Sequence, residues 1–377
     1  MLGRTSIPSL RDPRTRRIAI TAGILVVVVW AVALTYVALR GTTRSTRSTT
    51  TRTAPPLSAR PAPSHDDPHA LWLFGFDTLR LDPAHPTRVE HLGYAAFGDV
   101  AGAPGRVILY DATTGRFGVL DAETNRIVDN TTIGSRDVDR DVRPLLAPLG
   151  DAAWLVTAPG SITRHALTSG SSDRTVALPV PVADAGARAV GTRVAAAGST
   201  VWAVVDVVVA AGRRDVVAYA LDAGTERIVT TRSLGDVDVV TVVALPGRAA
   251  VVTRNHVIVV PVSANVPPTA SPGVPVALHD GVGVDGAVWL LDDAAQLTRL
   301  DPATATLARP IPLPASARPV GAGSRVVATG STLWALLTGP PGQPFHAVLA
   351  SLDAHSGRSA FALGLPDDLA IAALAAT

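Results

Sequence analysis

Three features of the amino-acid sequence predict an all-β, seven-bladed β-propeller preceded by one N-terminal transmembrane helix. The first is an uncharged apolar run from Ile18 to Leu39. The second is a repeat of about 44 residues through the remainder of the chain. The third is a pair of complementary defects at the two ends of the repeat region, which predict a ring closed by the C-terminal strand.

The Ile18–Leu39 run holds 22 residues. As a helix it reaches about 33 Å, enough for a hydrocarbon core of about 30 Å. Tyr36 stands near its end, where such rings settle at a membrane interface. A cleaved signal peptide is the competing reading, but its apolar region is about 7–15 residues and ends at small residues. Here the run is longer, and Val37-Ala38-Leu39-Arg40 is a poor cleavage site.

Flanking charge gives almost no orientation, with five Arg in residues 1–17 and four in residues 40–52. Nine of the twelve residues from Thr42 to Thr53 are Ser or Thr, and Pro55, Pro56, Pro61 and Pro63 follow. Stalks of this composition hold domains off an outer membrane face. The expectation is therefore a basic cytoplasmic tail (1–17), a transmembrane helix (18–39) and a disordered stalk (40–70). The propeller (71–377) then lies outside the cytoplasm, at the cell membrane.

Two pairs of words set the repeat. Gly198-Ser199-Thr200-Val201-Trp202-Ala203 returns as Gly330-Ser331-Thr332-Leu333-Trp334-Ala335, 132 residues later, three times 44. Arg80-Leu81-Asp82-Pro83-Ala84 returns as Arg299-Leu300-Asp301-Pro302-Ala303 after 219 residues, five times nearly the same period. Seven such units fill residues 71–377.

Each unit opens on a short apolar strand that carries Trp72, Trp154, Trp202, Trp289 or Trp334. In units two and five the same slot falls in Val107–Tyr110 and Ala250–Val252. A second strand ends in Leu-Asp, and its Asp caps the following turn. An outer strand comes next, such as Arg227–Thr231. An inner strand, such as Arg193–Ala197, Gly281–Val284 or Arg325–Ala328, precedes the next Trp. Four short strands per unit with turn chemistry between them make a propeller blade. The first unit lacks its inner strand, and Asp368–Leu374 is an inner-type strand without a blade. Placing the second in the first closes the ring and hides two sheet edges.

The Trp strand, the seven-fold count and the turns Asp121-Ala122-Glu123-Thr124-Asn125, Asp222-Ala223-Gly224-Thr225 and Asp353-Ala354-His355-Ser356-Gly357 carry a resemblance. Residues 71–377 resemble the quinoprotein-dehydrogenase-like propellers. These include bacterial surface and periplasmic proteins built from Asp-x-x-Thr-Gly hairpin repeats. Enzymes on such propellers place Glu, Asn and Asp around a calcium ion, a quinone or both in the central channel. That resemblance implies an alternative function as a calcium-dependent hydrolase (lactonase) or a quinone-dependent oxidoreductase.

The residues supply little for such a centre. The three Glu fall in turns (Glu123, Glu226) or on an outer strand (Glu90). The inner strands read Val194-Ala195-Ala196, Val242-Val243-Ala244 and Val326-Val327-Ala328, a small apolar lining. Calcium takes six to eight oxygens. No cofactor and no metal are therefore assigned, and His256 is read as a turn residue.

The chain has no Cys, which removes thiolate chemistry and disulfides. Residues 1–70 hold ten Arg and three Asp, whereas residues 71–377 hold 23 Arg and 28 acids. The folded part is acidic, so no nucleic-acid partner is expected. Binding-face candidates come from loops that share one propeller face. They are Arg136, Asp137, Asp139, Arg140, Asp141 and Arg143 in one loop, Arg213 and Arg214 in a second, and Phe345 and His346 in a third. Functional loops collect on one side of a rigid scaffold. The expected function is a membrane-anchored binding or scaffold module, with another envelope protein as partner and no oligomeric state assigned.

Overall fold

The computed structural model describes residues 70–377, except 76, 94–97, 135–137, 140–141, 168–172, 181–185, 210–211, 314–324, 339–346, 366–370 and 372. The expected transmembrane helix and stalk lie outside the described residues. Within them no helix is long and apolar enough to cross a membrane.

Seven antiparallel sheets follow one another among the described residues, six of four strands and one of five. Blade one pairs Ala373–Ala376, Leu71–Phe74, Thr78–Asp82 and His85–His91, from the inside out. Blades two to five then run in chain order, with inner strands Asp99–Ala103, Leu146–Leu149, Arg188–Ala197 and Val239–Leu245. Blades six and seven start at Leu278–Val284 and Arg325–Thr329. Blade six is the five-stranded one, because Ile311–Pro312 pairs beside Thr306–Leu307 on the strand Gln296–Asp301.

Each inner strand lies against the next around the circle, and Ala373–Ala376 touches both Asp99–Ala103 and Arg325–Thr329. The ring is thus closed by the C-terminal strand, as the sequence predicts. The paired residues differ from the predicted Asp368–Leu374. Leu71 faces Ala376 and Phe74 faces Ala373. The small residues Ala373, Ala375 and Ala376 sit where the inner edges crowd together. Gly102 of blade two shows how tight this is, because a Cβ built there runs into the Ala376 carbonyl.

The tryptophans fill the spaces between blades. Trp72 packs with Val107 and Leu120 of blade two, Trp202 with Ala249 and Val251 of blade five, and Trp334 with Leu71 and Leu81 of blade one. All five are at most 3% exposed. Outer strands are wetter: His85–His91 is exposed along nearly its whole length. The Leu-Asp turns are as expected. Asp121 Oδ1 accepts from the Thr124 amide at 2.8 Å and its hydroxyl at 2.7 Å, and Asp222 does the same with Thr225 at 2.7 and 2.8 Å. These bonds favour the ionised form and hold both carboxyls below the usual range.

The Trp slots are not equally satisfied. Trp334 donates its indole N–H to Thr329 Oγ1 at 2.9 Å, whereas Trp202 Nε1 is buried without a partner. Register explains the difference. Thr329 faces Thr332, two residues before Trp334, and Ala197 faces Thr200, two residues before Trp202. Blade four thus has a methyl where blade seven has a hydroxyl. Ala197→Thr should give Trp202 its acceptor and raise stability by about 1 kcal/mol, read by denaturant unfolding. An unchanged or lower midpoint would contradict this account.

Closure makes a second prediction. Deleting 367–377 removes the inner strand of blade one and should lower the melting temperature far more than deleting 1–66. Calorimetry on the two truncated chains checks this, and equal melting temperatures would refute closure as the organising contact.

Candidate functional site

One position recurs on the inner strands. Arg193, Asp280 and Arg325 each stand nine residues before Trp202, Trp289 and Trp334. In blades two, three and five the position is Asp99, Leu145 and Thr241, nine before Ile108, Trp154 and Ala250. Strand register confirms the equivalence: Ala195, Val282, Val327, Ala147, Ala101 and Val243 face those slots, each two residues after the recurring position. In blade one, Ala375 faces Trp72, so the position is Ala373. Residues two apart on a strand share a face. The recurring side chain therefore points into the space between blades, as the Trp does, nearer the end where the inner strand begins.

Four of these seven positions carry charge: Asp99, Arg193, Asp280 and Arg325. Three of them visibly staple their blade to the next. Asp99 Oδ2 accepts from the Leu145 amide at 2.5 Å, and Asp280 Oδ2 accepts from the Val326 amide at 2.9 Å. Arg193 donates from Nη2 to the Val239 carbonyl at 2.5 Å and from Nη1 to Asp206 Oδ2 at 2.9 Å. Asp206 fits because its partner across the strand pair is Gly191, where a Cβ would sit 2.9 Å from the carboxylate. The side chains of Arg193 and Asp206 are 8% and 7% exposed. Removing one member of such a buried pair strands the other and costs about 3–5 kcal/mol. Arg193 Nε and Asp206 Oδ1 are buried without hydrogen-bond partners.

The same residues line a cavity of about 450 Å³ at the mouth of the central channel, together with Arg143, Asp238, Arg254 and His279. Asp280 is buried there, and desolvation pushes its carboxyl above the usual range. The charge of Asp99 adds to that push, while Arg325 and the amides of Val326 and Gly281 oppose it. Asp238 and Arg254 form an exposed pair at 2.6 Å on the rim. Nearby, His256 stands in a turn, with its Nδ1 3.1 Å from Thr253 Oγ1. Among the described residues no group of three or more His, Cys, Asp or Glu is placed to hold a metal ion.

The small apolar lining expected from Val194-Ala195-Ala196, Val242-Val243-Ala244 and Val326-Val327-Ala328 is only part of the picture: Val242, Val326 and Val327 do line the cavity, but charged residues join them at the mouth. The residues just ahead of those runs, Arg193 and Arg325, put charge at the mouth, as do Asp99 and Asp280. Their nine-residue spacing to the Trp slot was the available signal. It is visible only when the inner strand is aligned on that slot.

The loop candidates separate. Arg143 is half-buried and lines the cavity, with Nη1 3.5 Å from the Gly98 carbonyl. Asp139 is exposed. Arg213 and Arg214 are exposed at the turn between Thr200–Val208 and Arg214–Asp222, on the mouth face but away from the cavity lining. Arg136, Asp137, Arg140, Asp141, Phe345 and His346 lie outside the described residues.

No protein-family model and no curated protein sequence matches the chain. Solved structures similar to it include apo AztD from Citrobacter koseri, at 8% identity over 82% of this chain and 98% of that one, with a TM-score of 0.48. BamB from Moraxella catarrhalis is similar at 12% identity over 71% and 77%, with a TM-score of 0.45. The dihydro-heme d1 dehydrogenase NirN in complex with DHE is similar at 12% identity over 84% and 78%, with a TM-score of 0.48. By its own sheet order, this chain is a seven-bladed β-propeller closed by its C-terminal strand.

Proposed function

We propose that the protein is a membrane-anchored, extracytoplasmic propeller that serves as a protein-binding or scaffold module at the cell envelope. The observation that carries this reading is the exposed charge standing on one face of a rigid ring. Arg213, Arg214, Asp238 and Arg254 are exposed on turns and strand ends that surround the channel mouth. Exposed charges of both signs on a fixed frame steer and orient a partner more than they tighten it. The chain enters the ring at Leu71, where Ala70 accepts from the Thr377 amide at 3.0 Å. This is the end of the Trp strand opposite the mouth.

Anchoring rests on the uncharged 22-residue run Ile18–Leu39, and the outward orientation on the Ser/Thr/Pro-rich segment after it. The resemblance to quinoprotein-like propellers supplies the scaffold in this reading and no redox role.

Two measurements test it. Full-length protein should stay with the membrane fraction after alkaline carbonate washing, and a soluble chain beginning near residue 40 would refute the anchor. Reversing the exposed Arg213 and Arg214 to Glu should reduce recovery of crosslinked envelope partners several-fold. The fold should survive, since exposed substitutions usually cost within about 0.5 kcal/mol each. A folded variant that recovers the same partners would remove this face from the binding surface.

A further inference from the structure

A second cavity, of about 310 Å³, lies between blades six and seven, at the end of the blades away from the mouth. Val284, Ala287, Trp289 and Ala354 give it apolar walls, and Arg299 lines it as well. Arg299 stands directly across the strand pair from Trp289. Residues so paired share a face with Cβ atoms about 5 Å apart, so one small group reaches both side chains. The same arrangement occurs twice more in the ring, where Arg80 faces Trp72 and Arg164 faces Trp154. In both of those blades a carboxylate of the protein meets the arginine. Arg80 Nη1 is 3.5 Å from Glu90, its partner on the outer strand, and its guanidinium carbon lies 5.6 Å from the Trp72 ring centre. Arg164 Nη2 is 3.1 Å from Asp151. The exposed Arg299 side chain has no such partner among the described residues. Leu300–Leu307 matches Leu81–Val89 of blade one, so Ala308 stands where Glu90 would supply the acid. Asp301, two residues on, is bound to its own turn through Ala303 and Thr304. The indole N–H of Trp289 lacks its acceptor for a like reason: Val284 holds the place from which Thr329 accepts in blade seven.

We propose that this cavity binds a small monocarboxylate with a compact apolar body, its carboxylate on Arg299 and its body against Trp289, Val284, Ala287 and Ala354. The ligand's carboxylate takes the place beside Arg299 that Glu90 takes beside Arg80. A planar guanidinium fork matches a carboxylate, and a bidentate contact adds direction as well as energy. The apolar body leaves water for the wall of the cavity. A cavity of about 310 Å³ stands at the lower end of the roughly 300–1,000 Å³ range of small-molecule sites, which suits a single ring or a branched chain. Asp285 also lines the cavity, exposed and 3.8 Å from His355 Nε2. Its charge disfavours a dianion such as phosphate and leaves a single negative charge for Arg299. The site shares no residue with the channel mouth or its rim, so it goes beyond the capture of a protein there.

The test is calorimetric titration of purified full-length protein with benzoate, phenylacetate and isovalerate, and with acetate, benzamide and inorganic phosphate as controls. At least one of the first three should bind saturably, about tenfold or more tighter than acetate, which lacks the body, or benzamide, which lacks the charge. Arg299→Gln should weaken that binding about tenfold or more. Ala308→Glu should weaken it as much, because it supplies from within the chain the carboxylate that blade one already has. Arg80→Gln should leave it unchanged. Melting curves establish that each variant is folded, and Ala308→Glu decides if Arg299→Gln is not. The proposal is overturned if none of the three carboxylates binds, if acetate, benzamide or phosphate binds as tightly, or if the folded Arg299 and Ala308 variants bind like the parent. Partner capture is read on Arg213 and Arg214, so failure of that reading and failure of this one are separate results.

Discussion

Pairing of Ala373–Ala376 with Leu71–Phe74 joins the last strand of the chain to the first described one, and the remaining contacts are arranged around that junction. Each blade presents an apolar face that only a neighbouring blade can cover. Without the C-terminal strand, Leu71–Phe74 would be an open edge and the spaces flanking blade one would lose part of their walls. The contact closes a separation of 307 residues between Ala70 and Thr377. Its loop-closure entropy is largely offset because the other blades already hold the two ends close together.

Closure also sets the chemistry of the channel. Seven inner strands converge, so there is room for small residues along their length, and Gly102 and the C-terminal alanines fit this crowding. At the end where the inner strands begin, longer charged side chains stand on four blades: Asp99, Arg193, Asp280 and Arg325. There the structure replaces apolar packing with charge-assisted bonds across the blade gap: Asp99 to Leu145, Arg193 to Val239 and Asp280 to Val326. These bonds satisfy backbone groups that would otherwise be buried without partners. Holding several ions in a partly dry space makes the mouth polar and rigid together.

The two faces of the ring consequently differ. The face where the chain enters carries the tight Asp-capped turns, whose side chains are used up in local hydrogen bonds. The mouth face carries the strand ends and the turns that follow the Trp strands, with exposed Arg213, Arg214, Asp238 and Arg254. Function on a propeller belongs where side chains are not consumed by their own turn.

The sequence by itself determined the blade count, the place of the Trp residues, the capping role of Asp121 and Asp222, and closure by the C-terminal strand. These depend on local spacing and on chemistry that repeats in every unit, so a single chain carries seven readings of the same pattern. The tertiary structure decided which residues meet at the mouth. Asp99, Arg193, Asp280 and Arg325 lie on four different blades, and their run in the sequence is an isolated charge before an apolar strand. Only the ring brings them around one cavity, and only strand register shows that they share a position. Pairing of Arg193 with Asp206 likewise depends on the bulge at Gly191, and the unsatisfied Trp202 depends on Ala197 standing opposite Thr200. Contacts of this kind are set by which side chains face each other across strands and blades, and that is fixed when the ring closes.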